Sequence, residues 1–222
     1  MRAHLPAAPA AEPDSDCPLC PRLAAFRERN RAEAPDWHNA PVPSFGGSDA
    51  WLLVVGLAPG RKGANRTGRP FTGDYAGDLL YSTLLKYGLA EGRYDADPAD
   101  GLLLKGARIS NAVRCVPPEN RPTPLEAATC RPFLAAEIAS LPNLRAVLAL
   151  GSIAHSSVLA AVGEKQAKFP FRHGALHRLG GGLILADSYH CSRLNTNTGR
   201  LTEAMFHEVF EAMLAATQGT TA

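Results

Sequence analysis

Four of the five cysteines in this 222-residue chain are spaced like metal ligands rather than like a disulfide framework. Cys17 and Cys20 form a C-x-x-C pair, and Cys115 and Cys130 follow far downstream. Four thiolates satisfy either a tetrahedral zinc ion or an iron–sulfur cluster, and the spacing leaves both open. Cys191 is the odd one out and is not expected among the ligands. A second set of chemistry-bearing residues falls in three polar segments, each directly after an apolar run. The first, GLAPGRKGANRTGRPFTGD (56–74), is rich in glycine, which allows close backbone approach to a ligand. It contains neither the Gly-Lys-Ser/Thr of a P-loop nor the G-x-G-x-x-G dinucleotide fingerprint. The second, NAVRC (111–115), opens with an amide, and the third, SYHCSRLNTNTGR (188–200), sets His190 among hydroxyl and amide side chains. Taken singly, each has an ordinary reading: Asn111 as a turn residue, Phe71 as packing, His190 as a satisfied structural imidazole.

The elements that must position these segments are legible as apolar runs. Trp51 to Leu57, Ile109 to Val113, Arg145 to Leu150 and Leu183 to Asp187 read as buried strands. Helices are expected over Cys17 to Arg31, Asp78 to Tyr87, Thr123 to about Leu141, Gly151 to Ala161 and Thr202 to about Thr217. The third of these opens on a capping box, Thr123-Pro124-Leu125-Glu126. Pro35, Pro41, Pro43, Gly46 and Gly47 make 34–47 a loop. Residues 1–16 are Ala/Pro-rich and are expected to be a disordered tail, with one domain over 17–217. Alternating strands and helices predict an α/β fold: a single domain with a mostly parallel central sheet flanked by helices. Ligands of such sheets bind beyond the carboxyl ends of the strands, so the three polar segments are expected to converge there.

The composition, 45% hydrophobic and 20% charged, is that of a soluble globular protein. No apolar run approaches the ~20 residues of a membrane span, and no signal pattern opens the chain, so a cytoplasmic monomer is expected. A net charge of +2 permits nucleic-acid binding without arguing for it. Local charge is more informative: Arg61, Lys62, Arg66 and Arg69 lie in the first polar segment, Arg193 and Arg200 in the third.

Together, GLAPG, NRTGRPFTGD, NAVRC-VPPENRPTP and H-x-S-x-x-N-x-x-T-G-R-L-T, in this order and with the four cysteines, resemble the uracil-DNA glycosylase superfamily, specifically its fifth family (type b). The resemblance runs from Cys17 to about Glu211. It implies a uracil-DNA glycosylase-like fold that binds DNA containing uracil or other deaminated bases, flips the base out and hydrolyses its N-glycosidic bond. It also implies a 4Fe–4S cluster on Cys17, Cys20, Cys115 and Cys130, with structural zinc as the alternative. By the same likeness Phe71 stacks on the base, and the Asn111 amide meets uracil N3–H and O4. His190 would hydrogen-bond O2 as charge develops, and Ala58, Pro59, Gly60 and Asn195 would border the base. Arg66, Ser192, Arg193 and Thr198 would contact DNA, with Leu194 as a wedge in the base stack.

Three features qualify the likeness: better-known families, unlike the fifth, activate water from the first segment, the fifth family usually has proline between His and Ser, and some of its members place bulk at the position of Gly60. Leu57, Ala58 and Gly60 offer no side chain able to activate water, which leaves Asp74 as the candidate base, or alternatively as a helix N-cap. Cys191 replaces the proline usual between His and Ser, and Gly60 cannot reject bulk, so hypoxanthine is an expected additional substrate. A catalytically weak uracil- or DNA-binding protein is the competing reading. A free-nucleotide hydrolase is disfavoured, because the strand-end loops are basic rather than acidic.

Overall fold

The computed structural model of the chain describes residues 12–218. Its strands are β1 (Phe45–Gly46), β2 (Leu52–Gly56), β3 (Ala90–Glu91), β4 (Leu103–Leu104), β5 (Ala107–Asn111), β6 (Ala146–Leu150), β7 (Leu176–Arg178) and β8 (Ile184–Ser188). Its α-helices are α1 (Pro21–Glu33), α2 (Ala64–Thr67), α3 (Tyr75–Lys86), α4 (Pro124–Ala139), α5 (Ser152–Ala161), α6 (Arg193–Asn197) and α7 (Glu203–Gln218). The main sheet has the order β1-β5-β2-β6-β8-β7, in which the four inner strands are parallel and the two outer ones antiparallel. A separate two-stranded ribbon joins β3 to β4.

Every residue of β2, β6 and β8 is buried, as expected of strands covered on both faces. Alternation along β2 divides the core. Leu52 and Val54 pack with Leu80, Tyr81 and Leu84 of α3 and Phe206, Phe210 and Met213 of α7. Leu53 and Val55 pack on the other face with Leu134 of α4 and Ala154, Val158 and Leu159 of α5. The result is a three-layer single-domain α/β fold. The capping box at Thr123 forms as read, with the Thr123 hydroxyl accepting from the Glu126 amide and the Glu126 carboxylate accepting from the Thr123 amide.

Three expectations need amendment. The 34–47 loop contains β1, and two more short edge pieces, β7 and the β3–β4 ribbon, were not foreseen. The helix expected from Asp78 begins three residues earlier, at Tyr75, because Asp74 caps it. Of the expected tail, residues 1–11 lie outside the described residues. From Glu12 onward the chain is fastened, Glu12 accepting from the Ser44 amide at 2.9 Å and pairing with the buried Arg114 at 2.9 Å. Arg114 also meets Glu137 at 2.6 Å, deep beside β5.

Candidate active site

The carboxyl ends of β2 and β5 lie side by side, with Gly56 in register with Asn111. Asn111 is 3% exposed at this edge. A Cβ on Gly56 would stand 2.5 Å from Asn111 Oδ1 and 2.6 Å from Phe71 Cζ, so the missing side chain is what admits both groups. The Phe71 ring in turn lies 5.8 Å from the His190 ring, the planes inclined by 27°. Ala58, Pro59, Gly60, Phe71, Asp74, Asn111 and His190 line a single pocket together with Ala64 and Ala76. It adjoins a cleft of about 800 Å³ that shares Ala58, Gly60, Asp74 and His190.

His190 follows β8, and the loop that carries it is pinned from two sides. The Asn195 amide donates to the His190 carbonyl at 2.8 Å, and the Tyr189 N–H donates to His173 Nδ1 at 3.1 Å. Burial pushes the imidazole down to about 4, so it is neutral near neutrality. Its Nδ1 is buried with no hydrogen-bond partner among the described residues. Asp74 is the N-cap of α3. Its Oδ1 accepts from the Ala76 amide and caps α3, while Oδ2 stands where a Cβ on Gly60 or Gly63 would approach it to 3.1 or 2.3 Å. Burial raises the carboxyl, against the pull of the Ala76 and Gly77 amides.

The structure places some expected site residues differently. Asn195 supports the His190 loop from α6 and is not in the base pocket's lining. Arg69, grouped with the DNA-facing charges, is 5% exposed and forms a two-pronged pair with Asp100 at 2.8 and 2.7 Å. Arg61 is held by Asn30 and Glu33. Thr198 donates its hydroxyl to the Leu194 carbonyl at the end of α6, and Ser192 caps the start of that helix. Ser192 and Arg193 border the wider cleft, Arg66 is exposed beside it, and Leu194 is 72% exposed. Sequence reasoning missed Gly151, Ser152 and Ile153, which bring the uncapped N-terminus of α5 to the same cleft. Their signal was a Gly-Ser pair directly after a strand.

The four spaced cysteines converge on one small cavity, lined by Cys17, Cys20, Cys115 and Cys130 with Leu23, Val113 and Phe133. Cys191 is fully buried in the main core, away from them. Burial raises Cys20 to about 11 and Cys115 to about 12, and the neighbouring cysteines add to both. A bound cation would reverse that direction by favouring the thiolates. The one group whose donor atoms all lie within 4.8 Å of one another, among the described residues, is His155, His177 and Asp187 rather than any trio of cysteines. Four thiolates around one cavity could hold either a zinc ion or an iron–sulfur cluster. His155, His177 and Asp187 are accounted for by hydrogen bonds. His155 faces Asp187 Oδ1 at 2.6 Å and the Phe169 carbonyl at 2.8 Å, so both of its nitrogens donate. Burial opposes that proton, but the Asp187 carboxylate prevails and holds His155 up. With His177 on Asp187 Oδ2 at 2.9 Å, the three residues tie α5 and β7 to β8, and His155 also holds the Phe169 carbonyl of the segment before β7.

The family model that matches residues 43–214 is that of the uracil DNA glycosylase superfamily. The chain belongs to this superfamily. Within it, a type-5 uracil-DNA glycosylase of Thermus thermophilus is 49% identical over 199 residues, covering 87% of this chain and 90% of the relative. The Mycobacterium leprae protein of the same name is 44% identical over 88% of this chain and 89% of its own length. That of Pyrobaculum aerophilum is 40% identical over 90% and 88% respectively. The superfamily match spans β1 through most of α7, and so includes the base pocket and all three strand-end loops.

Proposed function

We propose that the chain is a uracil-DNA glycosylase of the type-5 kind, a DNA-repair hydrolase that flips uracil out of DNA and leaves an abasic site. The observation that carries this reading is the single pocket in which Phe71, Asp74, Asn111 and His190 meet. In it the flipped uracil stacks on Phe71, and the Asn111 amide, with a donor and an acceptor, matches O4 and N3–H. As the bond between C1′ and N1 breaks, its electron pair moves onto uracil and accumulates at O2. The neutral His190 N–H stabilises that oxygen as a hydrogen-bond donor. Water adds to the oxocarbenium-like C1′, and its proton passes to the Asp74 carboxylate, which faces the glycine-lined wall at Gly60 and Gly63. Arg66, Ser192, Arg193 and Thr198 serve the DNA backbone, and Leu194 fills the vacated stack.

A Cβ at Gly60 would meet nothing within 4 Å except Asp74 Oδ2, an open wall that supports acceptance of bases larger than uracil, such as hypoxanthine. Cys17, Cys20, Cys115 and Cys130 would hold a 4Fe–4S cluster, which supplies a structural clamp between α1 and the β5–α4 region rather than chemistry at the base. No helix among the described residues is long and apolar enough to cross a membrane. We place the enzyme in the cytoplasm as a monomer with a single domain.

The test is excision from an oligonucleotide with one uracil, read as strand cleavage after alkali, for wild type, Asn111→Ala, His190→Ala and Asp74→Ala. Multiple turnovers that collapse in the Asn111 and His190 variants are expected, with Asp74→Ala impaired at the chemical step. No cleavage of uracil opposite G or A, or in single strands, would instead leave a DNA-binding protein.

A further inference from the structure

The backbone of Phe71 is left-handed, with φ 53°. A bulky L-residue is rarely found there and needs its surroundings to hold it. The holding contacts fall on the carbonyls at Pro70 and Phe71. The Tyr94 hydroxyl donates to the Phe71 carbonyl at 3.1 Å, and the Tyr81 hydroxyl donates to that of Pro70 at 2.6 Å. Helix α3 runs so close that a Cβ on Gly77 would stand 2.0 Å from the Phe71 oxygen and 2.2 Å from the Tyr94 oxygen. Tyr94 is itself fixed, its ring stacked on Tyr81 with centroids 4.5 Å apart and the Arg69 guanidinium 5.7 Å away. Arg69 is locked by Asp100, as described above.

We infer that Tyr94 is a positioning residue for base excision: its hydroxyl holds the left-handed turn that aims the Phe71 ring into the base pocket. Tyr94 lies between β3 and β4, outside all three strand-end loops, and does not line the pocket. It acts through the backbone of that turn, donating to the Phe71 carbonyl and accepting from the Gly73 amide. The inference rests on Phe71 being the ring that meets the base.

Tyr94→Phe removes the hydroxyl and keeps the stacked ring. It is expected to lower kcat/KM on the uracil oligonucleotide about five- to tenfold, the scale of one ordinary hydrogen bond, with little change in melting temperature. The same change made in a Phe71→Leu background is expected to alter excision less than about twofold, since the ring it aims is gone. Wild-type activity of Tyr94→Phe overturns the inference, and so does an equal loss in both backgrounds. If Phe71→Leu alone leaves excision unchanged, the stacking role of Phe71 has failed, and the aim of its ring with it. Should Phe71→Leu be too slow to measure, the crystal structure of Tyr94→Phe decides. A Phe71 φ returned to negative values supports the inference, and an unmoved Phe71 refutes it.

Discussion

Gly56→Ala adds one methyl group at the point where β2 ends against the base pocket. Gly56 has no positive φ, so alanine introduces no backbone strain and the perturbation is confined to its Cβ. That atom would stand 2.5 Å from Asn111 Oδ1 and 2.6 and 2.8 Å from two Phe71 ring carbons, where ordinary contact begins at 3.4 Å. The Asn111 amide and the Phe71 ring must therefore retreat by about 0.9 Å, the difference between 3.4 and 2.5 Å. Neither retreats freely: Asn111 is fixed in parallel register, and Phe71 is tethered through its carbonyl. Misplacing substrate-positioning groups by ~1 Å costs on the order of 100-fold in rate. Overpacking costs roughly 1–3 kcal/mol of stability, which leaves a protein of ordinary stability folded at 25 °C. Single-turnover excision and the denaturation midpoint are measured on the same preparation. The expected result is a fall of about two orders of magnitude in rate with a folded protein. Excision within threefold of wild type, in a variant whose midpoint has dropped, would refute the claim that the glycine is there for the pocket.

Burial that holds His190 near 4 instead of its ordinary 6.5 makes the folded state bind fewer protons than the unfolded chain between those values. Wild type should thus lose stability relative to His190→Asn as pH falls from about 6.5 to 4, by at most about 3 kcal/mol; a pH-independent difference between the two denaturation curves would contradict this. Taking that difference removes the opposite contribution of His155, whose proton Asp187 secures. The purified protein should be brown, with absorbance near ~400 nm, and Cys115→Ser should lose colour, iron and several degrees of melting temperature together; colourless protein with stoichiometric zinc would reassign the metal. Glu137→Gln leaves Glu12 as the remaining carboxylate beside the buried Arg114 and partly buried Arg108 and should cost about 1.5–3 kcal/mol in urea unfolding, whereas a loss below ~0.5 kcal/mol would show that the network is dispensable.

The strands and the start of α4 were legible because each carries its signal locally: an unbroken apolar run, or Thr and Glu three residues apart beside a proline. The convergence of these residues was legible for the same reason, since Asn111 lies within such a run, at the end of β5, and the glycine loop and His190 come just after one. Edge strands of two or three residues have no period to read, which is why β1, β7 and the ribbon escaped. The misplaced charges failed for a different cause. Arg69 looks solvated until its partner Asp100, 31 residues away, is brought to it, and Arg61 likewise until Glu33 is. Asn195 and its acceptor are neighbours in sequence, but only the turn into α6 shows that the amide points back at its own loop.

The groups that meet the base sit at the ends of β5, β2 and β8, within the sheet order β5-β2-β6-β8, and β8 is the latest of these strands in the chain. His190 cannot oppose Asn111 until β6 has joined β2 to β8, a pairing of segments distant in the chain. A half-folded chain thus has no assembled pocket with which to cut a base from DNA. For an enzyme whose product is a hole in the genetic text, the parallel sheet works as a safety catch released only by complete folding.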